Sequence, residues 1–145
     1  MAGAETGRKF TASSHRAVSA SRDPQFINCI IMHEVSIALS LLDIVEIKCR
    51  EAGYHSIDSV RVRVGKASGV LPEAFAFAFE AAKKDTIARN AKFFIDVIPL
   101  GGFCSGCGRD FEMETTYILE CPFCASASFK IQKGYELEVV DLDVN

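Results

Sequence analysis

Residues 103–124 read FCSGCGRDFEMETTYILECPFC and contain two Cys-x-x-Cys pairs. The first pair is Cys104 and Cys107, and the second is Cys121 and Cys124. A Cys-x-x-Cys turn brings two thiolates close enough to share one ion, and two such turns that face each other complete a tetrahedron around Zn²⁺. The spacing predicts a structural four-thiolate zinc site. Two disulfides, four free thiols or an iron ion held by the same sulfurs are the alternatives.

The residues around the cysteines suit such a site. Gly106 and Gly108 permit the backbone angles of a tight turn at the first pair, and Pro122 restricts the backbone at the second. Residues 111–120 alternate loosely between polar and apolar, as a short hairpin does. We therefore expect residues 103–133 to form a small module that resembles a zinc ribbon.

The composition limits the class of protein. The chain has 145 residues, 49% of them hydrophobic, which is ample for one core, and a formal net charge of −3. A generic nucleic-acid binder usually carries a basic patch, so we expect no nucleic-acid partner. No apolar run approaches the length that crosses a bilayer, and six cysteines without an evident secretory signal favour a reducing compartment. We expect a soluble, cytoplasmic protein that does not bind membranes.

Residues 1–31 differ in composition from everything after them. They contain four basic and two acidic residues, many serines and alanines, and no clear periodicity before Phe26. A targeting segment, a disordered arm and upstream sequence from a wrongly chosen start are the competing explanations. We expect this extension to lie outside the fold and to be disordered, or to be absent from the native protein.

Residues 32–54 carry a wide apolar stripe, which is typical of a helix packed into a core. Ser36 is the expected N-cap, and Gly53 stands where a glycine commonly ends a helix. Cys49 lies within the apolar pattern and is interpreted as a core residue, not as a metal ligand. A helix is therefore expected directly after the extension.

Three segments show strand patterns. In residues 57–64 valines alternate with polar residues, so the valines should face the core and the arginines should face solvent. Residues 93–100 lead into the cysteine module, and residues 135–144 leave it. The apolar phase changes at Val139 and Val140, which predicts a β-bulge.

Residues 71–86 are ambiguous, because their phenylalanines recur with the strand period. Alanines, an early glutamate and late lysines favour a helix. Phe75, Phe79 and Ala82 would form its core face. Phe77 lies about 200° around the helix from Phe75 and is expected to make a second core contact, with a surface for a partner as the alternative.

These elements predict an α+β fold, in which two helices cover one face of a small three-stranded sheet. The zinc-ribbon-like module, residues 103–133, is inserted before the last strand. Residues 32–102 together with residues 134–145 would form the main domain.

A second chemical feature is Met32-His33-Glu34, where the apolar helix begins. A histidine beside a glutamate is by itself usually a solvated pair. In this chain the motif is followed by an amphipathic helix, a valine strand ending in Val-Gly, a Leu-Pro-Glu helix and paired Cys-x-x-Cys motifs. This order of motifs resembles the HypA/HybF family of hydrogenase nickel-incorporation proteins. The resemblance covers residues 32–145.

The resemblance implies a metallochaperone, not an enzyme. His33 would bind Ni²⁺, Glu34 would be its neighbour in the motif, and the four cysteines would hold zinc. The partners it implies are a HypB-type GTPase and the large subunit of a [NiFe]-hydrogenase, and a homodimer is compatible with it. Imidazole and amine nitrogens are good donors to Ni²⁺, whereas four soft thiolates suit zinc better.

The chain departs from the family at its start. Family members begin at the methionine of this motif, which leaves a free α-amine beside the histidine, whereas here 31 residues precede Met32. With the extension present that amine becomes an amide, and one nickel donor is lost. We favour Met32 as the true start and its amine as a nickel ligand, over a different nickel coordination or impaired activity.

Two other classes of function remain open. A zinc ribbon can serve as a docking module for protein or nucleic acid without any role in nickel transfer. A metal enzyme is the other class, but four thiolates leave no position for water at the zinc, and no further cluster of histidines and carboxylates is evident.

Overall fold

The computed structural model describes residues 8–11 and 33–145. The elements in the first half of the chain are β1 (Arg8–Thr11), α1 (His33–Glu51), β2 (Ile57–Gly65), α2 (Pro72–Ala82) and a short 3₁₀ helix (Lys83–Asp85). Those in the second half are β3 (Lys92–Ile98), β4 (Leu100–Cys104), β5 (Asp110–Met113), β6 (Phe129–Lys133) and β7 (Leu137–Val144).

The larger sheet has the strand order β1-β7-β2-β3. Strand β2 pairs in parallel with β3, and antiparallel with β7. The three strands expected from the sequence are thus neighbours in one sheet, and both helices pack on the same face of it. The predicted α+β arrangement is confirmed, with β1 as an additional strand.

The core lies between the helices and β2. The inward valines of β2 (Val60, Val62 and Val64) are at most 1% exposed, as the alternation predicts. Phe93 of β3 joins α2 to the sheet: its ring stacks on Phe79 at 4.0 Å between centroids and meets Phe75 edge-on at 5.3 Å. Because each buried aromatic ring removes a large apolar area from water, these three rings fix α2 on the sheet. Cys49 is also buried in this core, as predicted.

The predicted bulge in β7 is confirmed. Arg61 lies opposite Asp141, but the next residue of β2, Val62, lies opposite Val139. Val140 is therefore an extra residue in β7, and it lets both Val139 before it and Leu142 after it pack on the core.

Two expectations for the helices are wrong. Helix α1 begins at His33, so Ser36 lies within it and is not its N-cap. The side chain of Phe77 is 78% exposed and makes no second core contact, because α2 presents only the side that carries Phe75 and Phe79 to the sheet. Gly53 does follow the helix with a positive φ of 83°.

The expectation that residues 1–31 lie outside the fold is wrong for β1. Residues 8–11 pair antiparallel with β7, from Arg8 opposite Val144 to Thr11 opposite Asp141. No pattern in these four residues predicts the strand, because so short a strand has no periodicity of its own and depends on its partner. The rest of the extension, including Cys29, lies outside the described residues.

The cysteine module has its own sheet, with the strand order β5-β4-β6. The strand expected over residues 93–100 ends before Pro99, and Leu100 begins β4 of this second sheet. The module thus begins slightly earlier than residue 103.

The two sheets meet at a close backbone contact between Gly65 and Gly134. A Cβ on Gly65 would lie 2.1 Å from the carbonyl oxygen of Gly134, so only glycine fits there. The backbone N–H of Ala67 donates to the Gly134 oxygen at 2.7 Å, and Lys66 reaches the carboxylate of Glu114 in the module. The loop after β2 therefore fixes the cysteine module against the main sheet.

In the described part of the chain, neither helix has the length and apolarity that a membrane span requires.

Candidate metal centres

Strands β4, β5 and β6 bring the two cysteine pairs together. The ligand atoms of Cys104, Cys107, Cys121 and Cys124 all lie within 4.8 Å of one another. The Sγ atoms of Cys104 and Cys124 are 3.6 Å apart, and those of Cys107 and Cys121 are 3.8 Å apart. These distances are too long for disulfides, whereas a tetrahedron with sulfur about 2.3 Å from zinc has edges of about 3.8 Å. The four thiolates fit a single zinc ion.

Both pairs are set in turns of the same kind. The N–H of Gly108 donates to the Cys104 oxygen at 2.8 Å, and the N–H of Ala125 donates to the Cys121 oxygen at 2.9 Å. Gly108 and Ala125 have positive φ values of 71° and 58°. The first turn uses glycine for this conformation, as expected, and the second holds an alanine in it at a cost of about 1 kcal/mol. Gly106 is needed for a different reason than expected, because a Cβ there would lie 2.8 Å from Ser126.

The thiols hold their protons unequally. Burial raises the pKa of Cys107. Burial also acts to raise the pKa of Cys121, but hydrogen bonds from the backbone of Phe123 and Cys124 and from neighbouring thiols outweigh it and lower that pKa to about 7. A backbone hydrogen bond from Ser126 acts to lower the pKa of Cys124, but burial and the neighbouring thiols prevail and raise it to about 12. Without metal, Cys121 is the first of these three to ionise.

Zinc binding should therefore release protons. Because Cys107 and Cys124 are thiols at neutral pH and ligate only as thiolates, binding at pH 7 should release roughly two protons or more per zinc. The affinity should rise with pH, since protons compete with the ion for sulfur. Calorimetric titrations in two buffers of different ionisation enthalpy measure the number of protons. Equal heats in both buffers would contradict the prediction.

The module has little core apart from its ligands. Its buried cluster consists of Cys104, Phe111 and Cys121, so two of its three members are candidate metal ligands. A few partly buried apolar residues pack around them, namely Met113, Ile118, Phe129 and Ile131. Such a small core supplies little stability by itself, so we expect the module to depend on a bound ion for its stability.

The second candidate centre lies at the start of α1. His33 is the first residue of the helix and is partly exposed. Glu34 is 9% exposed, and its Oε1 accepts a hydrogen bond of 3.4 Å from the backbone N–H of Leu71. Leu71 is the N-cap of α2 and has no side-chain cap of its own. The Glu34 carboxylate therefore lies near the N-termini of both helices, where negative charge is favoured.

The structure does not gather a full nickel ligand set around His33. Among the described residues, the cysteine cluster is the only group of three or more histidine, cysteine or acidic side chains placed to hold one ion. Met32, whose amine was the other expected donor, lies outside the described residues. The sequence does not predict the contact between Glu34 and Leu71, because residues so far apart in the chain share no local pattern.

Comparison with known proteins shows which family this chain resembles. A family model described as "Hydrogenase/urease nickel incorporation, metallochaperone, hypA" matches residues 32–144. The hydrogenase maturation factor HypA of Geobacter metallireducens is 36% identical over 113 residues, which are 78% of this chain and 99% of that protein. HypA of Chlorobium luteolum is 37% identical over 114 residues, which are 79% of this chain and 97% of that protein.

Solved structures agree with this assignment. The solution structure of the nickel metallochaperone HypA from Helicobacter pylori is similar with a TM-score of 0.56 and 25% identity, and the similarity covers 78% of this chain and 97% of that one. A second solution structure of a HypA protein gives a TM-score of 0.59 at the same identity, covering 79% and 97% of the two chains. The chain therefore belongs to the HypA family of nickel-incorporation metallochaperones.

Proposed function

We propose that this protein binds Ni(II) through the Met32-His33-Glu34 motif and delivers it to a [NiFe]-hydrogenase during maturation. The observation that carries the proposal is the placement of His33, which stands partly exposed at the first position of α1. Imidazole nitrogen is a favourable donor to Ni²⁺. An exposed ligand at a helix end suits a cargo ion that must leave again.

Glu34 supports this role by position. Its carboxylate is held at the N-cap of α2 by the Leu71 N–H. A cation near the N-terminus of α1 meets the positive end of the helix dipole, and the neighbouring carboxylate offsets that repulsion. We propose that Glu34 orients the motif and balances its charge, with the α-amine of Met32 as a further donor when it is free.

The four cysteines take a structural role in the proposal. Zinc held by Cys104, Cys107, Cys121 and Cys124 has a closed coordination sphere, with no position for water or substrate. The ion would stabilise the module and take no part in a reaction, which agrees with a metallochaperone that is not an enzyme. The proposed partners are a HypB-type GTPase and the hydrogenase large subunit.

A docking role without nickel is the second candidate, and the surface of the module favours it. Tyr117, Leu119 and Phe123 are between 58% and 78% exposed. Large exposed apolar side chains on so small a module are consistent with a surface that contacts another protein.

Nickel titration of the zinc-loaded protein separates the two candidates. The chaperone should bind about one Ni²⁺ per chain, since the motif offers one histidine, and the zinc content should stay constant because the sites share no ligand. Calorimetry combined with metal analysis measures both. Failure to bind nickel, or binding only by displacement of zinc, would leave the docking role as the better description.

A further inference from the structure

The outer edge of β7 is covered by a strand from outside the family match. The family model begins at Met32, whereas β1 consists of residues 8–11 and pairs along the last residues of β7. In the matched part of the chain, β7 is the edge of the larger sheet. An open edge presents unpaired N–H and C=O groups and accepts another extended segment readily.

This edge is acidic and only partly neutralised. The two arginines of β2 are already engaged, since Arg61 pairs with Asp96 at 3.0 Å and Arg63 pairs with Glu138 at 3.4 Å. Asp141 forms no salt bridge within the described part of the chain, and its buried Oδ1 has no hydrogen-bond partner there. A buried carboxylate oxygen without a donor is unfavourable, and it stays without one although β1 is paired with β7.

Asp143 is the second acidic position. Its Oδ2 accepts a hydrogen bond of 2.6 Å from Ser59, and no cationic side chain is paired with it among the described residues. The backbone register places a basic residue of β1 opposite this second acidic position. Lys9 lies directly opposite Asp143, and Thr11 lies directly opposite Asp141. Opposite charges at facing positions stabilise an antiparallel pair.

Pairing with a second copy of β7 is disfavoured by the same charges. In the antiparallel register about a twofold axis at Leu142, Asp141 of one chain would face Asp143 of the other. Like charges directly opposite each other destabilise a strand pair. The edge therefore selects a basic segment over another acidic β7.

We propose that the outer edge of β7 is a docking edge for a basic extended segment, and that residues 8–11 occupy it intramolecularly. The linkage in one chain keeps the local concentration of the segment high, so that the edge is shielded from other chains. A segment of similar charge from another protein gains access only when residues 8–11 leave.

Hydrogen exchange of individual amides tests the proposal. The N–H and C=O groups of Asn145 bond to the backbone of residues 55 and 56, so they face β2. Because these directions alternate along a strand, the amides of Leu142 and Val144 face β1, while those of Asp141 and Asp143 face β2. Only the exchange rates of the Leu142 and Val144 amides should therefore depend on β1.

In the full chain, Lys9→Glu should accelerate exchange at Leu142 and Val144 by roughly tenfold or more, because an undocked segment leaves these amides open to solvent. Asp141 and Asp143 provide the internal control and should not change. The double variant Lys9→Glu/Asp143→Lys should restore protection by exchanging the two charges. Unchanged protection in Lys9→Glu would overturn the charge preference.

A second measurement uses a chain that starts at Met32, which keeps the whole described core. A synthetic peptide of residues 5–14 should protect the same two amides, and the peptide with both basic residues changed to Glu should not. Equal protection of these amides in both chain lengths without peptide would show that β1 does not dock. Protection that appears only on dimerisation of the shorter chain would show that a second copy is the occupant, and would also overturn the proposal.

Discussion

Replacing Cys121 by Ser is expected to remove zinc and to unfold the module of β4, β5 and β6, while the main domain stays folded. Cys121 is buried and belongs to a core cluster of three residues. Zinc binding in small four-ligand modules is worth about 10–16 kcal/mol and is in effect their folding energy. A cluster of this size cannot replace that contribution with apolar burial.

The main domain should survive because its core is separate. Its buried residues come from both helices, from β2, from the loop before α2, from the segment before β3 and from the end of β7. The contacts that fix the module, including the Lys66 and Ala67 bonds, lie at one end of the sheet. Their loss exposes little of the apolar core.

The test compares zinc content and amide exchange in two cysteine variants. Cys121→Ser should contain far less than one zinc per chain and should lose protection in β4–β6, while α1 and β2 remain protected. Cys49→Ala is the matched control, because Cys49 is buried in the main core outside the cluster. It should keep the full zinc content. A Cys121→Ser protein that retains one zinc and a protected module would refute the structural role.

Replacing His33 by Ala should weaken nickel binding by about 100-fold or more, since changes even to groups behind a metal ligand commonly cost 10–100-fold. His33 is partly exposed at the first position of α1, so its removal should leave the fold and the zinc content unchanged. Calorimetric titration with Ni²⁺ measures the affinity, and metal analysis follows the zinc.

Two matched variants make the result specific. His55→Ala removes an exposed histidine elsewhere and should bind nickel normally. Glu34→Gln keeps an oxygen acceptor for the Leu71 N–H but loses the charge, so it should weaken nickel binding by about tenfold. Equal nickel affinity in the wild type and in His33→Ala would remove this residue from the nickel site.

Comparison of two chain lengths tests whether the α-amine of Met32 takes part in nickel binding. A protein that starts at Met32 offers an α-amine, an amide nitrogen and the imidazole within two residues, and nitrogen donors in a plane suit Ni²⁺. The chain that starts at Met1 lacks that amine at the motif and should bind nickel more weakly. If the two chain lengths bind nickel with equal affinity and the His33→Ala variant does not bind it, then His33 binds nickel without help from the amine.

Patterns that depend on near neighbours determined much of this protein from the sequence alone. The cysteine spacing predicted the cluster, because a Cys-x-x-Cys turn fixes its own two thiols locally. The valines of β2 were placed correctly, since alternation along a strand follows from backbone geometry. The phase change at Val139 and Val140 predicted the bulge for the same reason.

Helix boundaries and exposure were decided by tertiary structure. Ser36 has the chemistry of an N-cap, but α1 extends back to His33 and includes the buried Glu34, which contacts the start of α2. The core face of α2 with Phe75 and Phe79 followed from the pattern, but the exposure of Phe77 did not, because it depends on packing against Phe93 of β3. The sequence of one helix does not specify which neighbouring element will pack against it.

Local sequence patterns likewise did not predict which strands pair with each other. Residues 93–104 divide at Pro99 between two sheets, and the pairing partners of β4 lie further along the chain. Strand β1 has no recognisable signal in its four residues, yet it completes the edge of the larger sheet beside Asp141 and Asp143. Strand pairing joins residues that are distant in the chain, so its energy depends on a partner that local sequence does not specify.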